Sequence, residues 1–247
     1  MVGFDNINFE EYVEVLEKAV SNCDSQSRRM FLKYSFELLK KVFKIKEPVI
    51  LKVFDSEKNP RAAGVFRITN NSCQILMSDK FLKTDKTIEM DGIVDFFTKI
   101  NEMDNDWRVP LNILCSLCHE FKHCLDYFNN KLVAIDIPKL KNLSEEEVQA
   151  VYYLNSAERS ARNFQFEFTK EVLKNLIPIC KKFEYYDLID YIEENMSLTL
   201  DKEIKNCKRI EEIMTKRLKD SKINIEDFEV LTPLVKNLTD CEFGAEI

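Results

Sequence analysis

The chain has 247 residues, 45% of them hydrophobic and 32% charged, with a formal net charge of -7. That balance belongs to a soluble globular protein with room for one large domain or a domain with a helical extension. The negative charge excludes general nucleic-acid affinity, which needs a basic surface, and no window approaches the run of about 18 apolar residues that a membrane helix requires.

With 4 glycines and 6 prolines, long helices and few tight turns are expected. The opening MVGFDNINFEEYVEVLEKAV is acidic and amphipathic and lacks the basic and apolar regions of a signal peptide. A chain of this size needs no disulfide framework, so its 8 cysteines are expected as free thiols in a reducing cytoplasm.

Residues 8 to 21 read as a first helix with Phe9, Tyr12, Val13, Leu16 and Val20 on one face. Asp24 or Ser25 caps a second, with Met30, Phe31, Tyr34, Leu38 and Val42 inward. Pro48 ends this region, and Val49 to Phe54 is a β-branched run suited to a buried strand. After a polar turn at Asp55 to Pro60, Ala63 to Thr69 and Cys73 to Ser78 read as a hairpin joined through Asn70, Asn71 and Ser72. Loop and helical segments from Lys83 to Met103 lead on to Asp104, Asp106, Trp107 and Pro110 at the start of a helix.

That helix, Leu111 to Phe128, contains His119-Glu120-Phe121-Lys122-His123, an HExxH arrangement. Residues four apart share a helix face, so the two imidazoles can converge on one ion while Glu120 projects beside them. The spacing suits zinc hydrolysis: two neutral imidazole nitrogens supply part of a tetrahedral shell, and the carboxylate can deprotonate water at the open position. These are the chain's only two histidines. Chance would place them four apart, with Glu after the first, in roughly one chain in a thousand for the pattern in question. Two other readings overlap the motif. Cys115 to His119 reads CxxCH, a haem attachment signature that belongs to an exported setting. Of the nearby thiols, only Cys115, one turn before His119, shares the metal face.

The helix ends by Asn129-Asn130, and Ser144 with Glu147 forms a capping box opening a long helix that Pro178 closes. Glu158 on this helix is the best third ligand, since a catalytic zinc needs three protein ligands and no other histidine exists. Ala157 and Ala161 would let the two helices approach closely. The other reading of Glu158 is a surface pair with Arg162; acidic alternatives stand at Glu145, Glu146, Glu147 and Glu167, of which the first three suit the helix dipole without a metal.

HEFKH followed by Glu158, Ala161 and Phe164 in an ExxAxxF arrangement resembles the gluzincin-type metallopeptidases, in particular the small ImmA/IrrE-type phage and bacterial peptidases. GVFRITNNSCQILMS is similar to the strand pair of that family. The resemblance covers roughly residues 45 to 170 and implies a short sheet ahead of the HExxH helix, with a later glutamate completing the zinc shell.

Beyond it, Phe183, Tyr186, Leu188, Ile189 and Ile192 suit one helix, and Leu200, Ile204, Cys207, Met214 and Leu218 form the stripe of another with a basic outer face. That face is a solvated surface or a partner-binding one. The fold expected is α+β, a zincin-like core over 1–178 with a helical region over 179–247. The function expected is a zinc metallopeptidase acting on a peptide or protein substrate, with His119, His123 and Glu158 as Zn2+ ligands and Glu120 as general base. Tyr152 or Tyr153 would supply oxyanion stabilisation. The alternative is a non-catalytic protein-binding module whose zinc is structural, which would call for a fourth ligand such as Cys115.

Overall fold

A computed structural model describes residues 4, 7–22, 24–57, 62–69, 72–83, 108–232 and 245–246. The expected turn residues 58–60, Asn70 and Asn71, the segments from 84 to 103, the acidic run with Trp107, and Cys23 and Cys241 lie outside the described residues. The architecture is mixed α+β and mainly helical, with two small sheets among the described residues.

Helices α1 (Phe9–Ser21) and α2 (Ser25–Val42) start where a short polar side chain can hold a free N–H. Asn8 accepts from Glu10 N at 3.1 Å and Asp24 from Ser27 N at 2.7 Å. The inward stripe of α2 runs through Arg28, Phe31, Leu32, Ser35, Leu38, Leu39 and Val42. Met30 falls off that stripe and is exposed, contrary to expectation, and Tyr34 sits at its margin with its hydroxyl on Glu11. Val20 is likewise only half-buried.

Strands β1 (Val49–Phe54), β2 (Gly64–Ile68) and β3 (Cys73–Ser78) form the main sheet with β6 (Ala245–Glu246), in the order β2-β3-β1-β6. β2 and β3 are the expected antiparallel pair, while β1 runs parallel to β3. Ser78 N bonds Ala63 O at 3.0 Å and Thr69 N bonds Ser72 O at 2.9 Å. By the alternation of an antiparallel ladder, Gly64, Phe66 and Ile68 therefore direct their main-chain groups away from β3, toward the sheet edge.

Helix α3 (Arg108–Phe128) lies against this sheet and against α2, with Leu111, Ile113, Leu114, Leu117 and Phe121 buried. It is followed by β4 (Val133–Ile135). The single helix expected from Ser144 is two, α4 (Glu145–Leu154) and α5 (Ser156–Lys182). Asn155 makes the break: its backbone is extended at ψ 136° and its side chain accepts from Ala157 N and Glu158 N, a competition with helical bonding to which asparagine is prone. Pro178 does not end α5, which continues to Lys182 because Leu176 and Cys180 keep its apolar face in the core.

α6 (Tyr186–Asp190), a π-helical turn (Tyr191–Met196) and α7 (Ser197–Asp220) complete the helices, and β5 (Glu229–Leu231) pairs antiparallel with β4. Phe183 and Tyr186 are exposed rather than inward, whereas Leu188, Ile189 and Ile192 are buried. The boundary drawn at residue 178 falls inside α5, and residues on both sides of it share one core that runs from Phe9 to Cys207. A second, smaller core joins Ala150, Val151 and Leu154 to Ile210, Met214 and Leu218. Among the described residues no helix is long and apolar enough to cross a membrane. The described cysteines, at 73, 115, 118, 124, 180 and 207, are buried free thiols.

Four helices end on a residue with positive φ that is not glycine: Lys44 (53°), Asn130 (54°), Glu184 (58°) and Lys222 (57°). Each is followed by a closing bond, such as Tyr185 N to Cys180 O at 3.0 Å, the geometry that glycine ordinarily serves. Left-handed backbone penalises a Cβ by about 1–2 kcal/mol. Glycine's greater freedom in the unfolded chain offsets about 0.5–1 kcal/mol of that, so Glu184→Gly, at a net gain of about 1 kcal/mol, should raise the melting temperature by roughly 2–4 °C in a protein of this size, measured by calorimetry.

Candidate metal centre

His119 and His123 stand one turn apart on α3, and α5 brings Glu158 to them from the side. Buried Ala157 and Ala161 on α5 leave room for that approach. His119 Nε2 is 3.1 Å from Glu158 Oε2, His123 Nε2 is 3.3 Å from Glu158 Oε1, and the two Nε2 atoms are 3.2 Å apart. A tetrahedral shell with donors about 2.0–2.1 Å from zinc has edges of about 3.3 Å, so the three side chains are already spaced as ligands of one ion. They are the one group of metal-ligating side chains among the described residues whose donor atoms all converge within 4.8 Å.

Gln165, two turns after Glu158 on the same face of α5, holds the other side of His119. Its Oε1 lies 2.9 Å from His119 Nδ1. An amide oxygen accepts, so Nδ1 donates to Gln165, and Nε2, which faces His123 and Glu158, is the nitrogen that can ligate an ion once it gives up its proton. Replacing buried Gln165 with Leu keeps the volume and removes this acceptor. Affinity for a divalent metal ion at this group should fall by about 10- to 100-fold, read by competition with a chromogenic chelator.

Burial alone would push the Glu158 carboxyl up, but hydrogen bonds and charge from His119 and His123 outweigh it and hold the group well below the ordinary carboxylate range. Burial likewise opposes charge on His119, yet Glu158 beside it raises its pKa, with help from Glu120 and Gln165. A carboxylate that stays ionised and an imidazole whose basicity its neighbours enhance suit a cation.

Glu120 is not a member of the ligand group. It is buried beside β2, and burial raises its pKa, opposed by the charges of the two histidines and by a backbone hydrogen bond from Phe66. On the same strand face the Phe66 ring lies 6.3 Å from the His123 ring and 6.2 Å from that of Tyr127.

The remaining candidates have other partners. Cys115 Sγ is 3.7 Å from Thr169 Oγ1, and burial pushes its thiol up to about 12; it does not converge with the histidines. Tyr153 donates its hydroxyl to Cys207 O at 3.2 Å, facing α7, and Tyr152 is exposed. Arg162 turns to partners on other elements: it donates to Tyr153 O, approaches Glu211 at 3.4 Å and lies 4.0 Å over the Tyr153 ring. Glu147 caps α4 and Glu146 meets Arg217 at 3.3 Å.

Sequence reasoning missed Gln165, although its seven-residue offset from Glu158 signals a shared face. It also missed the cap that holds the Glu158 turn: Glu229 Oε1 on β5 accepts from Ser156 N at 2.5 Å and from Asn155 Nδ2 at 3.3 Å. A partner so distant in sequence leaves no local signal.

No family model matches this chain, and no curated protein or solved structure matches it.

Proposed function

We propose that the chain is a zinc-dependent metallopeptidase of the gluzincin type, with a zincin-like core made of the β2-β3-β1 sheet, α3 and α5. The observation that carries this reading is the convergence of His119, His123 and Glu158 at 3.1–3.3 Å with Glu120 beside them but outside the group. Three ligands and an open fourth position characterise catalytic zinc, and Cys115, the candidate fourth ligand, is turned to Thr169.

Bound zinc would supply Lewis acidity at the open position. The histidines and Glu158 hold it. Glu120 takes a proton from the attacking water and returns it to the leaving amine. The edge strand β2 turns the main-chain groups of Gly64, Phe66 and Ile68 outward; Glu120 takes the Phe66 N–H, and the Phe66 C=O with the groups of Gly64 and Ile68 can pair with an extended peptide as an added strand. A main-chain grip of this kind selects an unfolded segment or loop rather than a compact surface.

The test is a peptide library incubated with zinc-loaded protein and read by mass spectrometry, with and without a chelator. Chelator-sensitive cleavage at defined bonds is the expected result. Absence of cleavage from library and cell lysate by protein carrying one zinc per chain rejects the reading.

A further inference from the structure

Gly64 is the point where β2 meets Glu120. A Cβ placed on Gly64 would lie 2.6 Å from Glu120 Cγ, 3.0 Å from Oε1 and 3.1 Å from Cδ. Carbon atoms in ordinary contact stand about 3.5–4.0 Å apart, so the collision runs from mid-stem to carboxylate. Packing on its own helix limits how the stem can shift. Glu120 is buried, and its neighbours on α3, Leu117, Phe121 and Cys124, are fully buried. The backbone of Gly64 lies outside the left-handed region, within a strand paired to Met77. Close approach, and not an unusual dihedral, is what requires glycine here.

We propose that Gly64 is a positioning residue: its missing side chain opens a slot in β2 that holds the Glu120 carboxylate beside the His119–His123–Glu158 group. The inference rests on the metallopeptidase reading. Two residues along the same edge, Phe66 supplies the backbone hydrogen bond to that carboxylate, so the strand both seats the stem and orients the head. The three atoms nearest to the added Cβ all belong to Glu120. A side chain at 64 would therefore rotate the base out of place while the ligand-bearing faces of α3 and α5 remain.

The test is Gly64→Ala in the full chain loaded with zinc. The expected result is one zinc per chain, a KM close to wild type and a kcat lower by about 10²-fold, the loss that a misplacement of about 1 Å produces. A wild-type kcat in Gly64→Ala overturns the proposal. A stability cycle tests the contact without activity. With Glu120 present, Gly64→Ala should lower the melting temperature. In Glu120→Ala protein, which has no Cγ to meet, the same change should raise it, because alanine in a strand restricts the unfolded chain more than glycine does. Equal shifts in the two backgrounds overturn the slot. Opposite shifts in a wild-type protein that cleaves no peptide would overturn the metallopeptidase reading and with it the catalytic meaning of the slot.

Discussion

Glu120→Gln should leave zinc content and melting temperature nearly unchanged and lower peptide cleavage by about 10² to 10⁴-fold, the usual contribution of a general base. The side chains have nearly the same volume, and the amide retains an oxygen to accept the Phe66 N–H. What it loses is the capacity to take a proton. Because Glu120 stands outside the converging donors, its charge is not needed to hold the ion. Glu158→Gln should behave in the opposite order, weakening zinc first, since both of its oxygens face imidazole nitrogens. Single-turnover cleavage of a library-derived peptide, paired with metal analysis of the same samples, separates the two. Cleavage by Glu120→Gln at the wild-type rate would deny Glu120 its role.

The second large effect concerns the ion itself. A ligand that binds only the folded state at about 1,000 times its Kd stabilises by about 4.1 kcal/mol. At about 2–4 °C per kcal/mol for a chain of this size, chelation of zinc should lower the melting temperature by roughly 8–16 °C. His123→Ala should show no such shift and no zinc. The gap should also depend on pH. His119 has a raised pKa in the metal-free fold, so its ion pair with Glu158 contributes stability that is complete below the unfolded imidazole value of about 6.5 and is lost as pH rises through the folded value. Zinc must displace that proton. The difference between loaded and chelated protein should therefore widen as pH rises from about 6 to 8, and calorimetry at several pH values checks it. A gap that narrows over this range would contradict the assigned protonation.

Much of the candidate site was legible because its signals are local. His119, Glu120 and His123 sit within five residues, and the apolar periodicity around them fixes which way the helix faces. Glu158 could be chosen because a third ligand was needed and few side chains could serve. The strands at 49–54 and 73–78 were visible as β-branched and apolar runs. Their parallel pairing was not, because register between strands separated by a hairpin depends on the whole sheet. Asn155 was hidden inside an amphipathic run, where the helical pattern outweighs a single capping residue. Gly64 had the appearance of an ordinary strand residue, since nothing in a sequence says which side chain will arrive from another element. Met30, Phe183 and Tyr186 were placed inward on apolar character alone, which does not oblige a residue to be buried.

The cap on α5 has a consequence for synthesis. Ser156 N and its acceptor Glu229 are 73 residues apart. A ribosome adding about 5–20 residues per second takes roughly 4–15 s to cover that stretch. During that interval the turn that presents Glu158 lacks the acceptor for its first free N–H. The cap on that turn can form only after Glu229 has been made. The ligands of the candidate centre are thus made well before the residue that caps the turn presenting one of them.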